Sequence, residues 1–134
     1  MRIVSYFYCA CHPEKMPKIF VIDDERDFLI TVTAWAEKKG YDITAFESAD
    51  GCLENILAVR PEIILLDVNL KSNDGRMISE DLKKTLPFSV KIILISGDPR
   101  TLIEYQHHYA DGILNKPFEF AELENKLKQQ LKRR

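Results

Sequence analysis

The run Glu62-Ile63-Ile64-Leu65-Leu66-Asp67 is apolar at four consecutive positions and then stops on a carboxylate rather than a turn residue. A strand without polar alternation is covered on both faces, so its last residue emerges from the interior of a sheet. That requirement constrains the whole chain, because helices must be supplied to both faces of that sheet. It also isolates Asp67, which at such a place is either a structural cap or a reagent.

The rest of the sequence supplies the helices. Residues 19–22, "IFVI", and 90–95, "VKIILI", are two further strands of the same apolar kind. After the first, Phe28, Leu29, Val32, Trp35 and Ala36 share one stripe of a helix that Gly40 ends. Residues 41–46 alternate in the manner of a half-exposed strand, and Ser48 or Asp50 is placed to cap a short helix carrying Leu53, Ile56 and Leu57. Ile78, Leu82 and Leu86 form the inner face of a third helix. Asp98-Pro99 reads as the cap and first residue of a fourth, residues 112–115 as a short strand, and Phe120, Leu123, Leu127 and Leu131 as the stripe of a fifth helix. Five βα units in series predict an α/β fold, a parallel five-stranded sheet between two helical layers. The apolar strands belong in the middle and the alternating and short ones at the edges. That gives the flavodoxin-like (βα)5 order 2-1-3-4-5, with its switch point between strands one and three.

Composition narrows the function. The 134 residues suit one domain, and 19 basic against 21 acidic residues give a net charge of −2, with no general attraction for nucleic acid or anionic membrane. The basic ending "KLKQQLKRR" fits a helical solvent face. Cys9-Ala-Cys11-His12 has no second ligand pair to complete a metal site, and three cysteines make no disulfide framework, so free thiols in a tail are expected. No apolar run approaches membrane-span length, and the expected compartment is the cytoplasm. Met16 stands directly before the first strand, so residues 1–17 read as an extension outside the fold and residues 18–134 as the domain. His107-His108 are adjacent on a helix, about 100° apart, and cannot face one ligand together.

In a flavodoxin-like sheet, ligands bind beyond the carboxyl ends of the strands. Those ends are Asp23-Asp24, Asp67, Ser96 and Asn115-Lys116-Pro117. Any one of them has a plain explanation as a helix cap. Together they bring three negative charges and one positive to one place, a balance that is costly when partly desolvated unless a cation joins it. Oxygen-only ligands favour a hard ion, and the small ligand count favours Mg²⁺. A metal and a lysine can neutralise phosphoryl oxygens while a carboxylate attacks phosphorus, so Asp67 reads as a reagent. "SGD" after the fourth strand lacks the Gly-Lys-Ser/Thr of a nucleotide-binding loop.

The motifs "VIDDE", "LLDVNLKSNDG", "ILISGD" and "NKPF", in this order and spacing over residues 18–134, resemble the receiver domain of two-component response regulators. The resemblance implies that Asp67 is the phosphoacceptor, that Asp24 is a direct magnesium ligand, and that Asp23 acts largely through water. It further implies a main-chain carbonyl from Asn69 on the metal, and Ser96 and Lys116 on the phosphoryl group. Lys116-Pro117 would be a cis peptide bond, and Asp74-Gly75 would shape the loop into the third helix. The implied donor is the phosphohistidine of a histidine kinase or phosphotransfer protein. The implied output is a downstream target or self-association, placed on the surface of the fourth helix, fifth strand and fifth helix, which includes Tyr105 and Tyr109. Two positions depart from the family pattern. Lys71 replaces a customary proline, and Ile113 replaces a customary aromatic switch residue, so the signal is expected to leave through Ser96, Gly97 and Asp98. The competing readings are a partner-binding pseudo-receiver and a magnesium-dependent phosphohydrolase with an aspartyl nucleophile. The phosphohydrolase is disfavoured because Asn69 stands where such enzymes carry a general acid.

Overall fold

Side-chain alternation along three strands sorts the core into two layers, and the strand ends follow the same parity. The structure, a computed structural model, describes residues 16–98, 100 and 109–132. Its strands are β1 (Lys18–Ile22), β2 (Asp42–Phe46), β3 (Ile63–Asp67), β4 (Lys91–Ser96) and β5 (Gly112–Asn115). They form one parallel sheet in the order β2-β1-β3-β4-β5, the flavodoxin-like order expected. The described helices are α1 (Arg26–Lys38), α2 (Cys52–Val59), α3 (Gly75–Thr85) and α4 (Phe120–Lys132).

Successive strand residues point to opposite faces. Ile19, Val21, Ile63, Leu65, Ile93, Ile95 and Leu114 therefore join Leu29, Val32 and Ala36 of α1 and Leu123 and Leu127 of α4 in one cluster. Phe20, Ile22, Ile64, Leu66, Ile92 and Leu94 pack on the other side against Ile56 of α2 and Leu82 of α3. The residues of β3 and β4 are buried almost without exception, whereas β2 is mostly exposed, as an edge strand should be. Trp35 is only half-buried, stacked on Phe120 with ring centroids 5.0 Å apart.

Gly40 ends α1 as expected. It takes φ 91° and donates its N–H to Glu37, while Tyr41 donates to Ala36, the paired bonds of a Schellman turn. The start and inner face of α2 differ from the sequence expectation. Gly51, in the left-handed region at φ 77°, precedes the helix, and neither Ser48 nor Asp50 caps it. Cys52 and Ile56 are its buried residues, while Leu53 and Leu57 are 49% and 43% exposed. The segment "CLENIL" offers two adjacent apolar stripes, and the sheet accepts the one whose Cβ vectors face Phe20 and Ile22. Residues 101–108 of the predicted fourth helix, with Tyr105 and His107-His108, lie outside the described residues, as does residue 99. The N–H of Arg100 donates to the Asp98 carboxylate at 3.0 Å, the bond an N-cap makes. Cys9, Cys11 and His12 also lie outside them. Pro17 accepts an N–H from Asp42 at 2.9 Å, so strand pairing reaches back to that residue.

The β3–α3 connection is a close one. Asp74 caps α3, its carboxylate accepting the Arg76 N–H at 2.9 Å and the Arg76 guanidinium at 2.7 Å. Gly75 donates to the Val68 carbonyl at 2.8 Å, and a Cβ at Gly75 would stand 2.1 Å from the Asp67 carbonyl oxygen and 2.8 Å from Val68 Cα. Only a residue without a side chain lets α3 begin against the backbone that carries Asp67.

Two substitution pairs test these placements by urea unfolding. Ile56→Ala should cost about 2–5 kcal/mol and Leu57→Ala about 1 kcal/mol or less; comparable losses would restore the stripe of Leu53, Ile56 and Leu57 that the sequence suggested. Gly75→Ala should cost about 3 kcal/mol, because the clash is with backbone that cannot swing aside. Gly97→Ala, whose Cβ would meet nothing within 4 Å, should stay within about 0.5 kcal/mol.

Candidate active site

Parity carries through the strand ends. Asp67 continues the face of Ile63 and Leu65, Asp23 that of Ile19 and Val21, and Lys116 that of Leu114, whereas Ser96 continues the opposite face of Ile92 and Leu94. Main-chain bonds fix these ends: Asp23 donates to Phe46, Val68 to Ile95 and Lys116 to Ser96, at 3.1, 2.9 and 2.8 Å. Asp23, Asp24 and Asp67 each offer a carboxylate oxygen, and these oxygens lie within 4.8 Å of one another. Asp23 is wholly buried and Asp67 is 6% exposed.

Lys116 enters from β5, preceding the cis Lys116-Pro117 bond. Its ammonium donates to Asp23 Oδ2 at 2.7 Å and to Glu25 Oε1 at 3.3 Å, and stands 4.6 Å from the centre of the Phe28 ring. The other Asp23 oxygen accepts the Glu25 N–H at 2.8 Å. Burial works against the charge of Lys116, but the hydrogen bond and charge of Asp23, followed by Asp67 and Glu25, outweigh it and raise its pKa.

Burial and then the charge of Asp23 push the Asp67 carboxyl up to about 6; Lys116 and the Asn69 N–H, 3.2 Å from Asp67 Oδ1, pull the other way, and Asp24 adds to the rise. The fold thus holds this proton more tightly than an unfolded chain does. The stability it contributes is complete at pH values below the ordinary 3.8 and is lost as pH rises through about 6. At neutral pH the ionised Asp67 works against folding by on the order of 3 kcal/mol.

The donor set fits Mg²⁺. All three groups are carboxylates, no His or Cys stands among them, and their mutual repulsion is what a hard divalent cation relieves. Asn69 is exposed and its backbone bridges to Asp74, which holds the loop close over the Asp67 end of β3. Ser96 is buried, and its hydroxyl oxygen accepts the Asp98 N–H at 3.0 Å. Lys71 is exposed on a polar hollow of about 130 Å³ shared with Asp24, Glu47, Ser48 and Asn73. Ile113 is half-buried against the α2–α3 side of the core. Glu25 and Phe28 are both in contact with Lys116; sequence reasoning assigned neither a role in the site, although Glu25 closes the motif "VIDDE".

The structure therefore draws Asp23, Asp24, Asp67 and Lys116 into one cluster, with Asn69 bonded to Asp67 through its backbone and Ser96 joined to Lys116 through its main-chain carbonyl. Residues 19–128 match the family model of the response regulator receiver domain. The chain is 28% identical over 116 residues to the regulatory protein VanRc of Enterococcus gallinarum, covering 87% of this chain and 50% of that one. It is 32% identical over 122 residues to the transcriptional regulatory protein PrrA of Mycobacterium leprae, covering 88% and 51%. The chain thus spans about half the length of these curated relatives. A CheY-like receiver domain from Methylobacillus flagellatus shares the fold, with a TM-score of 0.79 at 20% identity over 87% of this chain and 99% of that one. The chain belongs to the response regulator receiver domains, the signalling switches of two-component systems.

Proposed function

We propose that Asp67 accepts a phosphoryl group from the phosphohistidine of a histidine kinase or phosphotransfer protein, in a Mg²⁺-dependent reaction that this chain's own residues promote. The observation that carries the reading is the carboxylate cluster with Lys116 at its edge: three acids within 4.8 Å and one ammonium 2.7 Å from the buried member. Response regulators as a family interact with histidine kinases and downstream effectors, and their receiver domains bind Mg²⁺ at an acidic pocket.

In this reading Asp24 and Asp67 would hold the ion directly, Asp23 largely through water, and Asn69 through its main-chain carbonyl. The chemistry Mg²⁺ supplies when bound is neutralisation of charge on the phosphoryl oxygens. An Asp67 oxygen attacks phosphorus while the P–N bond to the donor imidazole breaks, its electron pair returning to the ring nitrogen. Lys116 turns its ammonium from Asp23 toward the phosphoryl oxygens, and the Ser96 hydroxyl donates to one of them. Hydrolysis of the acyl phosphate in the same cluster resets the switch.

The output follows from what Ser96 gives up. Its hydroxyl oxygen holds the Asp98 N–H at 3.0 Å, so drawing it toward Asp67 loosens the segment that leads past Asp98. With Ile113 at the position of the customary aromatic, this segment carries the signal to a downstream target or a second copy on the surface of residues 98–115 and α4. Gly97 makes such a movement feasible, because glycine tolerates backbone conformations closed to other residues. The site lies on a chain in which, among the described residues, no helix is long and apolar enough to cross a membrane, and we place its work in the cytoplasm. In this reading residues 18–134 constitute the receiver domain, the Pro17 carbonyl joins its strand pairing, and the residues before Pro17 are an extension to it.

Acetyl phosphate with Mg²⁺ should add one acid-stable, base-labile phosphoryl group to the wild-type chain and none to Asp67→Asn, read by intact mass. Equal labelling of both proteins would reject Asp67 as the acceptor. No labelling of the wild type by this donor or by a phosphorylated kinase would leave a partner-binding module without phosphoryl chemistry.

A further inference from the structure

Lys116 touches two carboxylates, and they differ in kind. Asp23 is buried within the acid cluster, its Oδ1 engaged by the Glu25 N–H and its Oδ2 by Lys116. Glu25 stands just outside the cluster, at the residue preceding α1, with its side chain 62% exposed and its Oε1 3.3 Å from the ammonium. Phe28, one turn into α1, places the face of its ring 4.6 Å from the same ammonium and is braced edge-on by Phe118, with ring centroids 5.8 Å apart. An aromatic face attracts a cation. Glu25 and Phe28 thus form a second seat for Lys116 that it already half occupies.

A cation entering among Asp23, Asp24 and Asp67 repels an ammonium held 2.7 Å from Asp23. Lys116 must then give up Asp23, and a buried or partly buried ammonium without a partner is costly. The alternative seat removes that cost, because the contact with Glu25 exists before the ion arrives.

Resting on the magnesium reading above, we propose that Glu25 is a positioning residue for Lys116: it holds the ammonium beside Phe28 when metal occupies the acid cluster. It thereby favours metal binding, and it also competes with the phosphoryl group for Lys116. Its hold is modest because it is exposed to water and salt. That suits a group which must release the lysine on every cycle.

Calorimetric Mg²⁺ titrations of the whole chain test this without any phosphoryl transfer. Glu25→Gln, which keeps the shape and removes the charge, should weaken Mg²⁺ binding by about two- to fivefold, and Glu25→Asp should recover part of that loss. In a Lys116→Met background the same Glu25→Gln change should leave Mg²⁺ affinity unaltered, because the residue through which Glu25 acts is gone. An equal loss in both backgrounds would show a through-space charge effect and overturn the positioning role while leaving the metal site standing. No effect in either background would overturn it as well. Failure of the wild type to bind Mg²⁺ would overturn the magnesium reading and this proposal together.

Discussion

The ion pair between Lys116 and Asp23 joins residues 93 positions apart, with the carboxylate completely out of water. A buried charge must be paired, and each remaining feature of the site follows from how incompletely this one pair achieves that. One ammonium stands against Asp23, Asp24 and Asp67, and burial, followed by the charge of Asp23, pushes the Asp67 carboxyl up to about 6. The same pair ties the end of β5 to the end of β1, across the two strands between them. A cation entering such a cluster would, in the proposed reading, free the lysine.

The sheet imposes this arrangement before any chemistry is considered. Alternation sends Asp23, Asp67 and Lys116 to the α1–α4 side and Ser96 to the α2–α3 side. A group bonded to Asp67 can thus be met from two directions, by an ammonium from one layer and a hydroxyl from the other. The loop that follows Asp67 is held close by Gly75, where a Cβ would stand 2.1 Å from the Asp67 carbonyl oxygen. Parity sets the direction of the reagent, and close backbone approach sets its position.

Much of this was readable along the chain. Four unbroken apolar residues in 63–66 forced a doubly covered strand, and the candidate site residues stand at the strand ends because sheet order brings those ends together. What was not readable depended on partners distant in sequence. Leu53 and Leu57 form as good a helical stripe as Cys52 and Ile56, and only the position of Phe20 and Ile22 decides between them. Gln130 is buried in α4 among leucines because its amide donates to the Asp111 carbonyl at 2.8 Å, a contact without a local signature. Glu25 was lost within the acidic run "DDERD"; the available signal was its place one residue before α1, where a side chain turns back over the strand ends.

The central claim is that a metal ion would relieve the cost of a buried, ionised Asp67 beside Asp23. A carbon-13 NMR titration of the Asp67 carboxyl, assigned with Asp67→Asn, measures that cost directly. The account predicts a midpoint near about 6 without divalent cation, moving to or below the ordinary carboxylate range in saturating Mg²⁺. A midpoint near 3.8 in the absence of metal, or one that saturating Mg²⁺ leaves in place, would contradict it.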